Sequence, residues 1–308
     1  AVLGTAFPAV LGEEGFLTIL LNAGIKNDLF PILIFIAVGA MIDFSPLLKD
    51  PSMIFFGAAA QFGIFATFLL SLVILPAVIS PAQQAGDPNL ILKLASAIGI
   101  IGAADGPTTL YVANHFNLTD YIAPISVAAY SYMSLVPVIQ PPVIRALTTK
   151  KERCIRMTYN EQRAPKKALI LFPIIVTVVS GILVPMSAPL VGSLMFGNLI
   201  RECGVLERLS KTAQNELANL VTILLGISIG STMVAANFLR WDTLLILALG
   251  LFAFVFDTAG GVLFAKFLNL FLKEKVNPMI GAAGISAFPM SGRIVHKMGL
   301  QEDPSNFL

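Results

Sequence analysis

Asp105 stands in the run IGIIGAADGPTTLYVA, where Gly102, Gly106 and Pro107 prevent a continuous helix and leave backbone carbonyls without their usual donors. A carboxylate, free carbonyls and the hydroxyls of Thr108 and Thr109 are the oxygen donors a hard cation such as sodium prefers. The surrounding run is apolar on both sides apart from Lys93, which favours a functional intramembrane carboxylate over an aspartate at a wet helix end. A second constellation lies in NPMIGAAGISAFPMSGR. There Asn277, Ser286 and Ser291 are neutral oxygen donors, and Gly281 and Gly284 permit close backbone approach. Arg293 is either an anchor that snorkels to an interface or a guanidinium that grips a carboxylate. Tyr130 and Tyr132, in VAAYSYMSLVPVIQPP, each carry a hydroxyl that needs a partner once buried; one is expected to pack, the other to act as an acid or a ligand. Asp257, in LFAFVFDTAGGVLF, is a second intramembrane carboxylate without a Gly-Pro break, read chiefly as a hydrogen-bonding group inside the bundle. Asp43, Asp50 and Asp242 fall at span ends, and His115 and His296 stand alone, without the neighbours of a metal ligand.

The elements that must hold these groups are membrane helices. Hydrophobic residues make up 56% of the 308, charged residues 12%, and the mean hydropathy is +0.83. Soluble chains carry about 25% charged residues, so a soluble enzyme and a disordered chain are both excluded. A net charge of +2 with two histidines and one tryptophan offers no basic face for nucleic acid. Cys154 and Cys203 lie far apart without metal-binding spacing and read as free thiols. The first residues lack the basic-then-apolar order of a secretory signal, and the start reads as a trimmed end.

Uncharged runs place the spans, because an ionised side chain at the bilayer centre costs about 3 kcal/mol on insertion scales. Residues 51–86, 121–144, 168–200 and 217–239 carry no charge, and each run can cross. The shorter stretches 29–42 and 276–292 read as tilted, broken or re-entrant helices. The expectation is an all-α polytopic membrane protein of about ten transmembrane elements, at roughly 20 residues per span. The polar stretch 145–167 holds eight basic residues against Glu152 and Glu161, so it faces the cytoplasm. It separates a first transmembrane repeat at 1–144 from a second at 168–308. Gly99, Gly102 and Pro107 share their spacing with Gly281, Gly284 and Pro289 at an offset of 182. LFPILIFIAVGAM pairs with LVTILLGISIGST at an offset of 191, and Gly24-Ile25 with Gly204-Val205. Such a duplication predicts two inverted repeats whose broken helices meet at mid-membrane around an ion or substrate site, with an elevator-like or rocking motion. At matching points of a repeat, Asn277 and Ser286 become candidate ion ligands beside Asp105. On this reading the segment around Asp105 runs outward, and the segment around Ser286 runs inward, bringing Arg293, His296 and Lys297 to the cytoplasmic side. Lys273 and Lys275 then fall outside, against the positive-inside rule.

GIIGAADGPTT, VAAYSYMSLVPVIQPP, TTKKERCIRM, LMFGNLIRECGVLERLSKTAQNEL, TAGGVLFAK and NPMIGAAGISAFPMSGR followed by EDPSNFL together resemble the membrane-embedded beta subunit of the biotin-dependent sodium-pumping decarboxylases. These act on oxaloacetate, methylmalonyl-CoA or glutaconyl-CoA. The resemblance runs from about Gly24 onward, and it implies a longer N-terminal hydrophobic segment and a final helix beyond Leu308. It implies a carboxybiotin decarboxylase subunit that receives carboxybiotin from a partner's carrier domain, releases carbon dioxide and couples this to sodium ion export, with a proton consumed. By likeness of motif, the sodium ligands are Asp105, Asn277, Gly281 and Ser286; carboxybiotin falls to Arg293 and Tyr132, and Asp105 is counted as catalytic too. The implied partners are a biotin carrier and carboxyltransferase subunit, a small gamma-type membrane subunit and further copies of the chain, in a bacterial or archaeal inner membrane. Ala103 stands where the family's usual motif has a glycine, which stiffens one backbone position, and Asp257 stands where family members carry an uncharged residue. A sodium-coupled secondary transporter or cation/proton antiporter of inverted-repeat layout is the alternative; the basic linker and the Arg293 segment suit a cytoplasmic partner, which that alternative does not need.

Overall fold

A computed structural model describes residues 15–49, 51–80, 86–157, 164–232, 240–272, 274–285, 288–306 and 308. No strand occurs among the described residues, as expected where only a helix can satisfy its own backbone away from water. The first half supplies α1 (Phe16–Leu21), α2 (Leu29–Met41), α3 (Ile54–Ala60), α4 (Phe62–Val78), α5 (Leu90–Ile101), α6 (Gly106–His115) and α7 (Ile122–Leu147). The second supplies α8 (Lys166–Leu183), α9 (Ala188–Glu202), α10 (Ala218–Thr232), α11 (Trp241–Leu268), a 3-10 segment (Pro278–Gly284) and α12 (Phe288–Glu302).

Four stretches among the described residues are long and apolar enough to cross a membrane: Ile54–Val78, α7, α8 and α11. Phe16–Lys26 and Leu29–Met41 make a fifth if their 58° bend belongs to one broken span; Asp28, at the bend, takes a left-handed backbone with φ 57°. The uncharged run 168–200 is two helices rather than one, because Pro185 and Pro189 sit where α8 stops and α9 starts, and the pair packs together. At 28 residues α11 is the longest helix. It lies outside every uncharged run because Asp242, Asp257 and Lys266 interrupt it.

Each of two compact units draws on both halves of the sequence: Ala1–Pro51 with Gln162–Ala235, and Ser52–Glu161 with Ala236–Leu308. In the first unit α2 crosses α9 with the backbones in contact. A Cβ on Gly39 would lie 1.8 Å from the Leu194 carbonyl oxygen, and one on Gly197 2.0 Å from that of Ile36. The buried Asn198 amide then donates to the Gly39 and Ile42 carbonyls.

In the second unit α11 packs on α3, α4, α5, α7 and the 3-10 segment. At its start, Arg240 shares a cavity of about 420 Å³ with Asp87, Leu90, Asn117, Asp120 and Tyr121. At its end, Lys266 donates to the Leu147 carbonyl and pairs with Glu152 of the basic linker. A helix of that length rises about 42 Å, so cavity and linker lie on opposite faces. The broken segments sort accordingly. α5 begins beside the cavity and the chain after α6 returns to it at Asn117, so α5 and α6 form a hairpin open to the cavity face. Asn277, ahead of the 3-10 segment, donates to the Arg153 and Ile155 carbonyls at 2.8 and 2.9 Å. Beyond α12, Asn306 donates to the Arg153 carbonyl, and Glu302 pairs with the Arg153 guanidinium at 2.7 Å. The 3-10 segment and α12 are therefore a hairpin open to the linker face. Neither broken segment runs across, which departs from the expected outward and inward courses and agrees with the re-entrant alternative given for 276–292; Lys275 lies on the linker side, which removes its conflict with the positive-inside rule, and Lys273 is outside the described residues.

Charge and buried amides share this seal. Burial pushes the Glu152 carboxyl up, but hydrogen bonds from Thr149 and Lys266 outweigh it and hold the group below its usual range. Arg156 likewise holds Asp303 down. Both contributions are present above the unfolded carboxylate range and are lost as pH falls through the lowered values. The 3-10 segment meets α11 at Gly281 and Gly261, where a Cβ on either would come within 1.9–2.0 Å of the other's carbonyl oxygen. Gly281→Ala is expected to destabilise the chain by about 1–3 kcal/mol through overpacking. The measurement is the thermal unfolding midpoint in detergent, and an unchanged midpoint would mean that the contact is dispensable.

Candidate functional site

The break in the first hairpin is a tight one. Past Ile101, the amides of Gly102, Ala103 and Ala104 bond back three residues to Gly99, Ile100 and Ile101, at 3.0–3.1 Å. Ala104 then takes φ 53°, a left-handed conformation that disfavours a residue with a Cβ by about 1–2 kcal/mol. Asp105 follows as the N-cap of α6: one carboxylate oxygen accepts from the Thr108 amide at 3.0 Å, the other from the Thr108 hydroxyl at 2.7 Å. The Thr109 hydroxyl donates to the Asp105 carbonyl. These bonds commit the Thr108 amide to the carboxylate, and Pro107 brings no N–H, so the first turn of α6 is capped by Asp105 itself. A half-buried carboxylate at the end of a broken helix is thus built by local sequence alone.

The second hairpin carries the other predicted residues. Asn277 is fully buried; its amide nitrogen serves the linker carbonyls and its oxygen accepts from the Met279 amide, which caps the 3-10 segment. Gly281 lies at the backbone contact with Gly261. Ser291 donates to the side-chain oxygen of Gln140 and to the Ala282 carbonyl, and Gln140 donates to the same carbonyl at 2.8 Å. Ser286 lies outside the described residues. Arg293 is exposed on α12, with no ion-pair partner among the described residues.

The two breaks meet. Ala104, just before Asp105, and Ile285, just before Ser286, share one buried apolar cluster with Val136 and Phe254. Asn277 does not join them: seven residues of 3-10 helix, about 14 Å, separate it from the break. The two tyrosines part company as well. A Cβ on Gly106 would lie 2.8 Å from the Tyr130 ring, so that ring sits against the residue following Asp105, and its buried hydroxyl has no partner. The Tyr132 hydroxyl instead donates to the Leu247 carbonyl, and its ring covers Gly250 of α11. Gln140 went unremarked in the sequence, although an amide inside the uncharged, proline-rich run VPVIQPP was a usable signal.

Residues 2–308 match the family model described as Na+-transporting oxaloacetate decarboxylase beta subunit. The oxaloacetate decarboxylase beta chain of Klebsiella pneumoniae is 47% identical over 319 residues, covering 100% of this chain and 71% of that one. The beta chain 2 of Salmonella typhi is 50% identical, covering 96% and 66%. The methylmalonyl-CoA decarboxylase subunit beta of Propionigenium modestum is 46% identical, covering 98% and 73%. The chain thus spans about two thirds to three quarters of the length of these relatives.

The contrast between the tyrosines is testable. Removing the Tyr132 hydroxyl deletes its bond to the Leu247 carbonyl, which keeps its helical donor, so Tyr132→Phe is expected to lower stability by about 1 kcal/mol. Tyr130→Phe removes an oxygen that bonds nothing and is expected to leave the unfolding midpoint unchanged or raised. The reverse order of midpoints would show that the two hydroxyls have been assigned the wrong surroundings.

Proposed function

The chain belongs to the family of Na+-transporting oxaloacetate decarboxylase beta subunits, and we propose that it is the membrane subunit that decarboxylates carboxybiotin and couples the release of carbon dioxide to sodium export. The observation that carries this reading is the meeting of two broken hairpins from opposite faces, one of them presenting Asp105. Carboxybiotin comes from the carrier domain of a biotin carrier and carboxyltransferase subunit on the linker face, in a cell membrane complex that also holds a small gamma-type subunit and further copies of the chain. Arg293 grips its carboxylate through paired hydrogen bonds. The N–C bond of the carboxylated ureido group breaks, its electron pair stays on nitrogen, and that nitrogen takes a proton. Tyr132 is the hydroxyl assigned to the ureido group. Tyr130, whose hydroxyl is uncommitted beside Asp105, is the stronger candidate for the ion side of the site.

Sodium sits on the Asp105 carboxylate with backbone carbonyls of the Gly102–Ala104 break and with Ser286. Asn277 and Gly281, engaged by the linker and by α11, join the ligand set only when the second hairpin shifts. Export against about 150 mV requires about 3.5 kcal/mol per ion, so decarboxylation and ion movement must be tightly coupled. The duplication is supported by reciprocal packing. α12 starts 182 residues after α6, the offset of the sequence match. α5 packs on α4 as the 3-10 segment packs on α11, and α5 touches α11 as the 3-10 segment touches α3. In the other unit α2 packs on α9 and α10 on α1. An inverted repeat with an elevator-like or rocking transition fits that exchange of partners.

The test uses the assembled decarboxylase. Asp105→Asn is expected to abolish sodium-stimulated decarboxylation and transport, while Asp105→Glu, which keeps the charge, retains part of both. Arg293→Lys is expected to impair decarboxylation of added carboxybiotin with sodium binding little changed. Full sodium-dependent turnover by Asp105→Asn would overturn the ion site. Normal decarboxylation by Arg293→Lys would remove the substrate role.

A further inference from the structure

Asp257 lies near the middle of α11, fully buried, and takes no part in the site described above. Gly63 of α4 lies against it: a Cβ there would come within 2.5 Å of one carboxylate oxygen and 2.3 Å of the Asp257 amide nitrogen, so only glycine leaves this carboxyl room. The amides of Gly63 and Ile64, in the first turn of α4, face the carboxyl group. Neither oxygen closes a hydrogen bond of good geometry with them. No lysine or arginine contributes to its surroundings among the described residues.

Three hydroxyls share this condition. Thr67 and Ser71, on the face of α4 that carries Gly63, and Thr258, next to Asp257, are fully buried with no hydrogen-bond partner. Elsewhere helical hydroxyls of this chain bond the carbonyl four residues back, as those of Ser126, Thr177, Thr222 and Ser228 do. Thr67, Ser71 and Thr258 do not. The two helices run antiparallel here, since Gly260 lies against Ala59 and Phe62, and Asp257 against Gly63. Thr67 is therefore one turn along, on the side toward which an α11 side chain leans. A carboxyl group and hydroxyls that leave their own carbonyls unused make up an oxygen donor set for a hard cation, and an unneutralised carboxylate in a membrane interior is strongly disfavoured.

We infer that Asp257, Thr258 and Thr67 form a second sodium site in the α4–α11 interface, distinct from the one at Asp105. One carboxylate oxygen stays with the Gly63 and Ile64 amides, and the other joins the hydroxyls on the ion. Phe254, one turn before Asp257, lies in the apolar cluster that also holds Ala104, the residue before Asp105. The inference rests on the proposed function, since it presumes a chain that handles sodium.

The experiment measures equilibrium binding of radioactive sodium, and the sodium concentration for half-maximal decarboxylation, on the purified complex with potassium held constant. Asp257→Asn is expected to lose one bound sodium per chain and to raise the half-maximal concentration about ten-fold. Thr67→Val, which keeps the shape and removes the hydroxyl, is expected to raise it about three-fold, and it carries the test if Asp257→Asn fails to assemble. Unchanged sodium stoichiometry and half-maximal concentration in these variants would overturn the second site, as would a change confined to the pH profile, which would mark Asp257 as a proton carrier. Absence of sodium stimulation in the unaltered complex would instead overturn the proposed function, so the two failures are distinguishable.

Discussion

A backbone amide or carbonyl that leaves a helix inside a membrane finds no water, and the second unit is organised around the two places where this happens. At Gly102–Ala104 three short turns and a left-handed alanine stop α5, and the Asp105 carboxylate takes over the amides that start α6. At the other break Gln140 and Ser291 both serve the Ala282 carbonyl. The two solutions differ in what they leave over. The second break is served by neutral side chains, whereas the first carries a carboxylate. The asymmetry makes the first break the natural seat for a cation.

Glycine makes the meeting of the breaks possible. Gly102 brings α5 onto Ala253, Gly106 receives the Tyr130 ring, Gly250 the Tyr132 ring, and Gly261 meets Gly281 backbone to backbone. Three of these contacts fall on α11, so one straight helix gauges the position of both hairpins. The same helix ends in Lys266 against the linker. The linker face and both breaks are thus joined through one continuous helix.

Composition and uncharged runs revealed the helical membrane class, and Gly-Pro spacing revealed both breaks and their offset of 182. Those signals are local, and local sequence writes them directly. The course of the broken segments was not readable, because a stretch that folds back and one that crosses have the same composition; only the Asn277 and Glu302 bonds to Arg153 tell them apart. α11 was passed over for a related reason. A rule that treats any charge as the end of a span cannot see a helix that encloses Asp257 against a glycine. Tyr130 and Tyr132 lie two residues apart in one run, and their different surroundings come from α6 and α11, about which their own neighbours in sequence say nothing.

Hairpins open to opposite faces also constrain how chemistry and ion flow can be joined. In the proposed function carboxybiotin arrives from the linker face, to which the hairpin carrying Arg293 opens, while Asp105 belongs to the hairpin that opens to the cavity lined by Asp87 and Asp120. On the proposed function, neither hairpin alone touches both substrates. The tips of the two hairpins share the apolar cluster of Ala104, Ile285, Val136 and Phe254. An apolar seal of this kind does not conduct ions, so the proposed function calls for the two breaks to move relative to one another when sodium passes. A reaction that alters the charge held by the linker-side hairpin supplies a physical cause for that movement. On the proposed function, loss of the carboxylate as carbon dioxide would leave Arg293 without its counter-charge, in the hairpin whose tip shares the apolar cluster with Ala104.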